Sequence, residues 1–233
     1  MTAQSTPRAE SASRLRDEFT VRWSRPEGER TGHLLVVLHG YGADENDLFS
    51  LCREFPERIT VASLRAPLGL PTGGYAWFPL TESLDTDPAL LRRVIEATHA
   101  WVDEVREEFE SVSLLGFSQG MAVATSLLRR DPAGFACTVA LSGFVVDPQA
   151  QVPELAGAFR PDGEVSAAKP KVFWGRDQDD PVIPEELVAQ SHAWLNENVA
   201  LMKIVYTGIG HGIGPQEIGH IVEYLDQFVP GRG

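Results

Sequence analysis

The residues best suited to chemistry are Gly116-Phe117-Ser118-Gln119-Gly120, which read G-x-S-x-G. In that pattern the serine sits on a sharp turn between a strand and a helix, and the flanking glycines let the turn close. Residues 112–115 form a short, largely apolar, strand-like run, and residues 121–130 are good helix formers that stop at Asp131-Pro132. A serine hydroxyl is a poor nucleophile near neutral pH, so Ser118 needs a base within hydrogen-bond reach. Of six histidines, His211 lies between Gly210 and Gly212 just after a strand-like run, where a loop can deliver its imidazole. His99, His192 and His220 fall in helical stretches and His33 precedes a strand, so they are expected at the surface or in packing. The base needs a carboxylate to fix its tautomer and stabilise the imidazolium. Asp177, Asp179 and Asp180 compete on spacing; Asp180 alone precedes a rigid exit, Pro181-Val182-Ile183-Pro184. At least two of these three are expected to be solvated loop carboxylates.

An oxyanion forming at the serine needs two donors. The Gln119 amide, at a helix N-terminus, supplies one, and the Tyr41 amide in the His39-Gly40-Tyr41-Gly42 turn can supply the other, the alternative for that turn being a simple strand-to-loop exit. His39 itself is expected to be a structural hydrogen-bonder. Leu70, Trp77, Phe78 and Phe117 are candidates for an apolar substrate pocket. Plain core packing competes with that role for each of them, most strongly for Phe117.

These residues must be positioned by a scaffold, and its elements can be read in order. Residues 19–23 alternate as a half-exposed strand, and residues 33–38 are a continuous apolar run expected as a buried strand. A helix is expected from Asp44 or Glu45 through Leu48 and Leu51 to Pro56, followed by a strand over 59–63. Residues 65–87 are rich in glycine, proline and aromatics and read as an ordered surface loop over a site. Asp87-Pro88 opens a helix over 89–110 whose apolar positions recur every three or four residues. Strands follow at 137–141, 171–174 and 201–206, with an irregular stretch over 145–168 and helices over 185–196 and 215–228. Strands alternating with helices of crossover length predict an α/β fold, a mainly parallel sheet covered on both faces. The loops leaving the carboxyl ends of such strands gather on one edge. The order Ser, acid, His along those loops is the order of an α/β-hydrolase triad.

Composition narrows the class. With 43% hydrophobic and 23% charged residues, the 233-residue chain suits one globular domain, expected over 18–233 after a flexible polar tail at 1–17. A net charge of −13 argues against nucleic acid and anionic membranes as partners. No apolar run resembles a signal peptide or a stable membrane anchor, so a cytoplasmic protein is expected, as a monomer or homodimer. Cys52 and Cys137 are expected as buried thiols. No H-E-x-x-H, paired cysteines or clustered histidines occur, and the Asp-Gln-Asp-Asp run lacks the glycine and distal glutamate of a calcium loop. A P-loop and a strand-borne G-x-G-x-x-G are also absent, so no metal and no cofactor are expected.

From Leu34 to Phe228 the chain resembles the phospholipase/carboxylesterase family of α/β-hydrolases, which includes acyl-protein thioesterases and small bacterial carboxylesterases. The landmarks are Leu38-His-Gly-Tyr-Gly-Ala-Asp-Glu-Asn-Asp-Leu48, Gly74-Tyr-Ala-Trp-Phe78, Gly116-Phe-Ser-Gln-Gly-Met-Ala122, Leu141-Ser-Gly143, Asp180-Pro-Val-Ile-Pro184 and Gly210-His211-Gly212. The resemblance implies an α/β-hydrolase fold with little or no cap domain, and a serine esterase acting through an acyl-enzyme on a small-molecule ester of small or medium acyl chain, with thioesters and lysophospholipid esters as further candidates. It implies Ser118 as nucleophile, His211 as base, Asp180 as acid, and Tyr41 and Gln119 as oxyanion donors, with the Trp77 loop bordering the acyl site. Tyr41 stands where the thioesterases commonly carry leucine, and Trp174 where they usually carry histidine. Both departures point to the bacterial carboxylesterase branch. The alternatives are a cofactor-free perhydrolase or acyltransferase on the same triad, and a non-catalytic ligand-binding scaffold.

Overall fold

The computed structural model describes residues 19–30, 32–80, 87–146, 155 and 157–229, so the tail expected at 1–17 lies outside the described residues. The central strands are short apolar runs in which alternate residues face opposite sides of a sheet. In β2 (His33–Leu38), Leu34, Val36 and Leu38 join one core cluster while Leu35 and Val37 join another. A strand buried on both faces must be covered on both, and the helices divide accordingly.

Among the described residues one sheet has seven strands in the order β1-β3-β2-β6-β7-β8-β9. These are β1 (Val21–Trp23), β2, β3 (Ile59–Leu64), β6 (Ser111–Phe117), β7 (Thr138–Leu141), β8 (Lys171–Asp177) and β9 (Ala200–Tyr206). All neighbours pair in parallel except β1, which runs antiparallel on β3. A separate hairpin joins β4 (Leu68–Gly69) to β5 (Tyr75–Ala76). Helices α1 (Pro88–Val105), α2 (Gln119–Arg130), α3 (Asp162–Ala168) and α4 (Glu185–Asn198) contribute to the first core cluster, and α5 (Pro215–Phe228) to the second. No helix among the described residues is long and apolar enough to cross a membrane.

Three elements differ from the sequence reading. The helix expected from residue 44 to 55 is only a 3-10 turn, Leu48–Arg53. Its expected first turn is spent on other contacts: Asp44 accepts the Asn46 N–H at 2.8 Å, and Glu45 pairs with Arg65 at 2.6 Å. The helix opening at Pro88 ends at Val105 and tightens to a 3-10 turn, Arg106–Glu108, instead of continuing to 110. The stretch expected to be irregular contains α3, whose seven residues are too few to show a periodic apolar face.

Candidate active site

Ser118 occupies the turn between β6 and α2 with φ 53° and ψ −117°, a conformation that non-glycine residues rarely adopt. Neighbouring backbone fits around it only because glycines lack side chains. A Cβ on Gly116 would run into the Gly120 carbonyl, and one on Gly120 into the Leu38 carbonyl. The serine is thereby pressed into the sheet edge beside the exit of β2.

The loop after β9 brings His211 to this turn. Its Nε2 lies 3.0 Å from the Ser118 hydroxyl, while Nδ1 lies 2.9 Å and 3.1 Å from the two Asp180 carboxylate oxygens. A carboxylate can only accept, so Nδ1 carries the hydrogen and Nε2 presents a lone pair to the serine. Asp180, three residues past β8, has a fully buried side chain, and its Oδ1 also accepts the Val182 and Ile183 N–H groups at 2.8 Å and 3.3 Å. The Pro181–Pro184 exit thus turns its amides back onto the acid.

The His39–Gly42 turn, the candidate for the second oxyanion donor, follows β2. A Cβ on Gly40 would lie 3.3 Å from the Ser118 Cβ, so the residue preceding Tyr41 is in van der Waals reach of the serine. Tyr41 itself is 49% exposed. Gly42 and Ala43 are clamped to Tyr75 by backbone hydrogen bonds of 2.9 Å, and the Glu45–Arg65 pair braces the same turn. Those guanidinium hydrogen bonds hold the Glu45 carboxyl below the usual range. Gln119 opens α2, where first-turn amides lack an intrahelical carbonyl.

His39 is fully buried with both ring nitrogens engaged, Nδ1 donating to the Gly40 carbonyl at 2.7 Å and Nε2 accepting the Ala66 N–H at 3.0 Å. Burial lowers its pKa, and the Nε2 that accepts from Ala66 carries no hydrogen.

The expected pocket residues separate. Phe117 is half-buried, its ring 5.1 Å from that of His211. Leu70 is half-buried in the turn between β4 and β5. Trp77 and Phe78 are fully buried and offer no surface to a ligand, which corrects their expected place on a pocket wall. They are pulled inward by polar ties: Trp77 donates Nε1–H to the His39 carbonyl at 2.9 Å, while the Gln119 side chain accepts the Trp77 N–H at 2.9 Å and donates to the Phe78 carbonyl at 2.7 Å. Asp177 is another correction. It is no solvated loop carboxylate but a fully buried one that accepts three backbone N–H groups, from Asp179, Ile209 and Gly210. Those of Asp179 and Ile209 do most to hold its pKa low. Sequence spacing carried no sign of either arrangement, because both depend on backbone donors from distant loops. Among the described residues no group of three or more His, Cys, Asp or Glu side chains could hold a metal ion.

The phospholipase/carboxylesterase family model matches residues 25–229, nearly the whole described chain. The chain belongs to the phospholipase/carboxylesterase family. Carboxylic ester hydrolysis is therefore its class of reaction. Among solved structures it is similar to the carboxylesterase of Bacillus cereus, with a TM-score of 0.73 and 20% identity over 95% of this chain and 99% of that one. It is also similar to a Mesorhizobium loti carboxylesterase (TM-score 0.71, 18% identity, 89% of this chain and 94% of that one). Acyl-protein thioesterase 2 of Zea mays is another such fold (TM-score 0.70, 19% identity, 91% of this chain and 99% of that one). At these identities the likeness bears on the fold.

Proposed function

We propose that this family member is a serine esterase that cleaves carboxylic esters of small or medium acyl chains through an acyl-enzyme. The hydrogen-bonded chain Ser118–His211–Asp180 carries the reading, with contacts of 3.0 Å and 2.9 Å. His211 Nε2 takes the Ser118 proton as the oxygen attacks the ester carbonyl, and Asp180 stabilises the imidazolium that forms. The Tyr41 and Gln119 amides receive the developing oxyanion. The imidazolium then protonates the leaving alcohol, and water activated by the neutral imidazole releases the acid. Phe117 and Leu70, each with partly exposed surface, are the apolar candidates to border the acyl chain. Both cysteines are free thiols, Cys137 buried as expected and Cys52 only half-buried, which suits a reducing cytoplasm.

Labelling by a fluorophosphonate probe and turnover of p-nitrophenyl acyl esters test the reading together. Ser118→Ala should abolish labelling and cut turnover by roughly three to six orders of magnitude. Labelling that survives the substitution would place the nucleophile elsewhere.

A further inference from the structure

The loop carrying His211, residues 207–214, is held by side chains from three elements. Asp177 ends β8; its Oδ2 accepts the Ile209 and Gly210 N–H groups at 2.5 Å and 3.1 Å, and its Oδ1 accepts that of Asp179 at 2.8 Å. Ser142, one residue past β7, donates its hydroxyl to the Gly212 carbonyl at 3.3 Å. Glu217, in the first turn of α5, is fully buried; its Oε2 accepts the Gly214 N–H at 3.4 Å, and its Oε1 has no hydrogen-bond partner. That oxygen lies against Gly175, where a Cβ would collide with it. Gly175 and Asp177 are two apart on β8 and share a face, so the two carboxyls flank one strand end beneath the histidine loop.

We propose that Asp177 and Glu217 form a buried pair that positions His211 against Ser118, Asp177 as a carboxylate gripping the Ile209–Gly210 backbone and Glu217 as a neutral acid under Gly214. The inference rests on the serine-esterase reading, since only there does the placement of this imidazole set a rate. The two carboxyls divide the roles by their donors: Asp177 faces three N–H groups and Glu217 one. An ionised Glu217 would strand Oε1 without a donor. Burial, with the Asp177 charge adding to it, pushes Glu217 up to about 7. The other groups around the pair are Arg176 on β8, whose charge favours ionised Asp177, and Tyr206 on β9. Tyr206 is itself hydrogen-bonded to His220 of α5 at 2.9 Å. Between the ordinary glutamate value of 4.5 and about 7 the folded state holds a proton that the unfolded chain releases. The stability owed to this group is therefore complete below 4.5 and is lost as pH rises through 7.

Steady-state kinetics and thermal unfolding from pH 5 to 8 test the pair. Asp177→Asn turns an amide toward donors and should lower kcat at least about tenfold with KM within about threefold, while Asp179→Asn stays within about twofold. Glu217→Ala should lower kcat at pH 6, and the conservative Glu217→Gln should restore it. The Tm of Glu217→Gln relative to the parent should climb between pH 5 and 7 and then level off. A parent-like kcat in Asp177→Asn overturns the grip. A Tm difference independent of pH, or Glu217→Gln as slow as Glu217→Ala, overturns the neutral acid. If Asp177→Asn does not fold, the same kcat comparison is made in the Asp177→Asn/Glu217→Gln double variant, where a parent-like kcat is equally fatal. A parent that turns over no ester would sink the esterase reading, while the pH dependence of Tm still decides the pair.

Discussion

Asp180 and Asp179 are adjacent carboxylates with opposite surroundings. Asp180 has a fully buried side chain that accepts His211 Nδ1 and two backbone N–H groups, whereas Asp179 is exposed. Replacing Asp180 with Asn would put an amide where only an acceptor fits, freeing His211 to adopt the other tautomer. Ester turnover by Asp180→Asn should fall by roughly three to four orders of magnitude, against less than about twofold for Asp179→Asn. Comparable losses in the two variants would move the acid role away from Asp180. The same contrast explains what the residue types alone leave open. Three aspartates in four positions look alike until the amides that meet each one are known.

At the scale of elements, Gln119 links two parts of the site. Its backbone opens α2, and its buried side chain ties down the 77–78 segment through one accepted and one donated hydrogen bond. Gln119→Ala would leave the Trp77 N–H and the Phe78 carbonyl unpaired in the core, costing about 2–4 kcal/mol. Thermal unfolding should show a Tm lower by roughly 5–12 °C. A Tm unchanged within a degree would mean that water or a neighbour replaces the amide. The strands and the longer helices were legible because their signals are local: six apolar residues in β2, an Asp87-Pro88 cap and a 3.6-residue period in α1. The Ser118 turn was legible for the same reason, since glycine spacing is a local requirement. What could not be read were structures decided by partners distant in sequence. The 44–47 stretch gives up its helix to Arg65, and the aromatic loop turns inward to meet His39 and Gln119. The α3 helix was hidden for a different reason, being too short for a period.

For the molecule as a whole, two buried groups tilt the pH dependence of stability in opposite directions. His33 opens β2 with 2% exposure, and burial, aided by the Arg58 charge, lowers its pKa from 6.5 to about 4. Its contribution is complete above pH 6.5 and is lost as pH falls through about 4, a span worth about 3 kcal/mol. Glu217 acts in the reverse sense over nearly the same window and offsets part of the His33 slope, while buried His39 adds to it. His33→Asn removes one slope and exposes the other. Its Tm relative to the parent should rise by several degrees between pH 6.5 and 4.5, at roughly 2–4 °C per kcal/mol. A constant difference would mean that His33 keeps an ordinary affinity for protons in the fold. The left-handed backbone of Ser118, φ 53°, adds a strain of about 1–3 kcal/mol that a glycine would not feel. Ser118→Gly should therefore melt about 2–12 °C higher than the parent while hydrolysing nothing, and a lower Tm would show the turn to be unstrained. In the serine-esterase reading, heat resistance and reactivity are opposed at one backbone angle, φ 53° at Ser118.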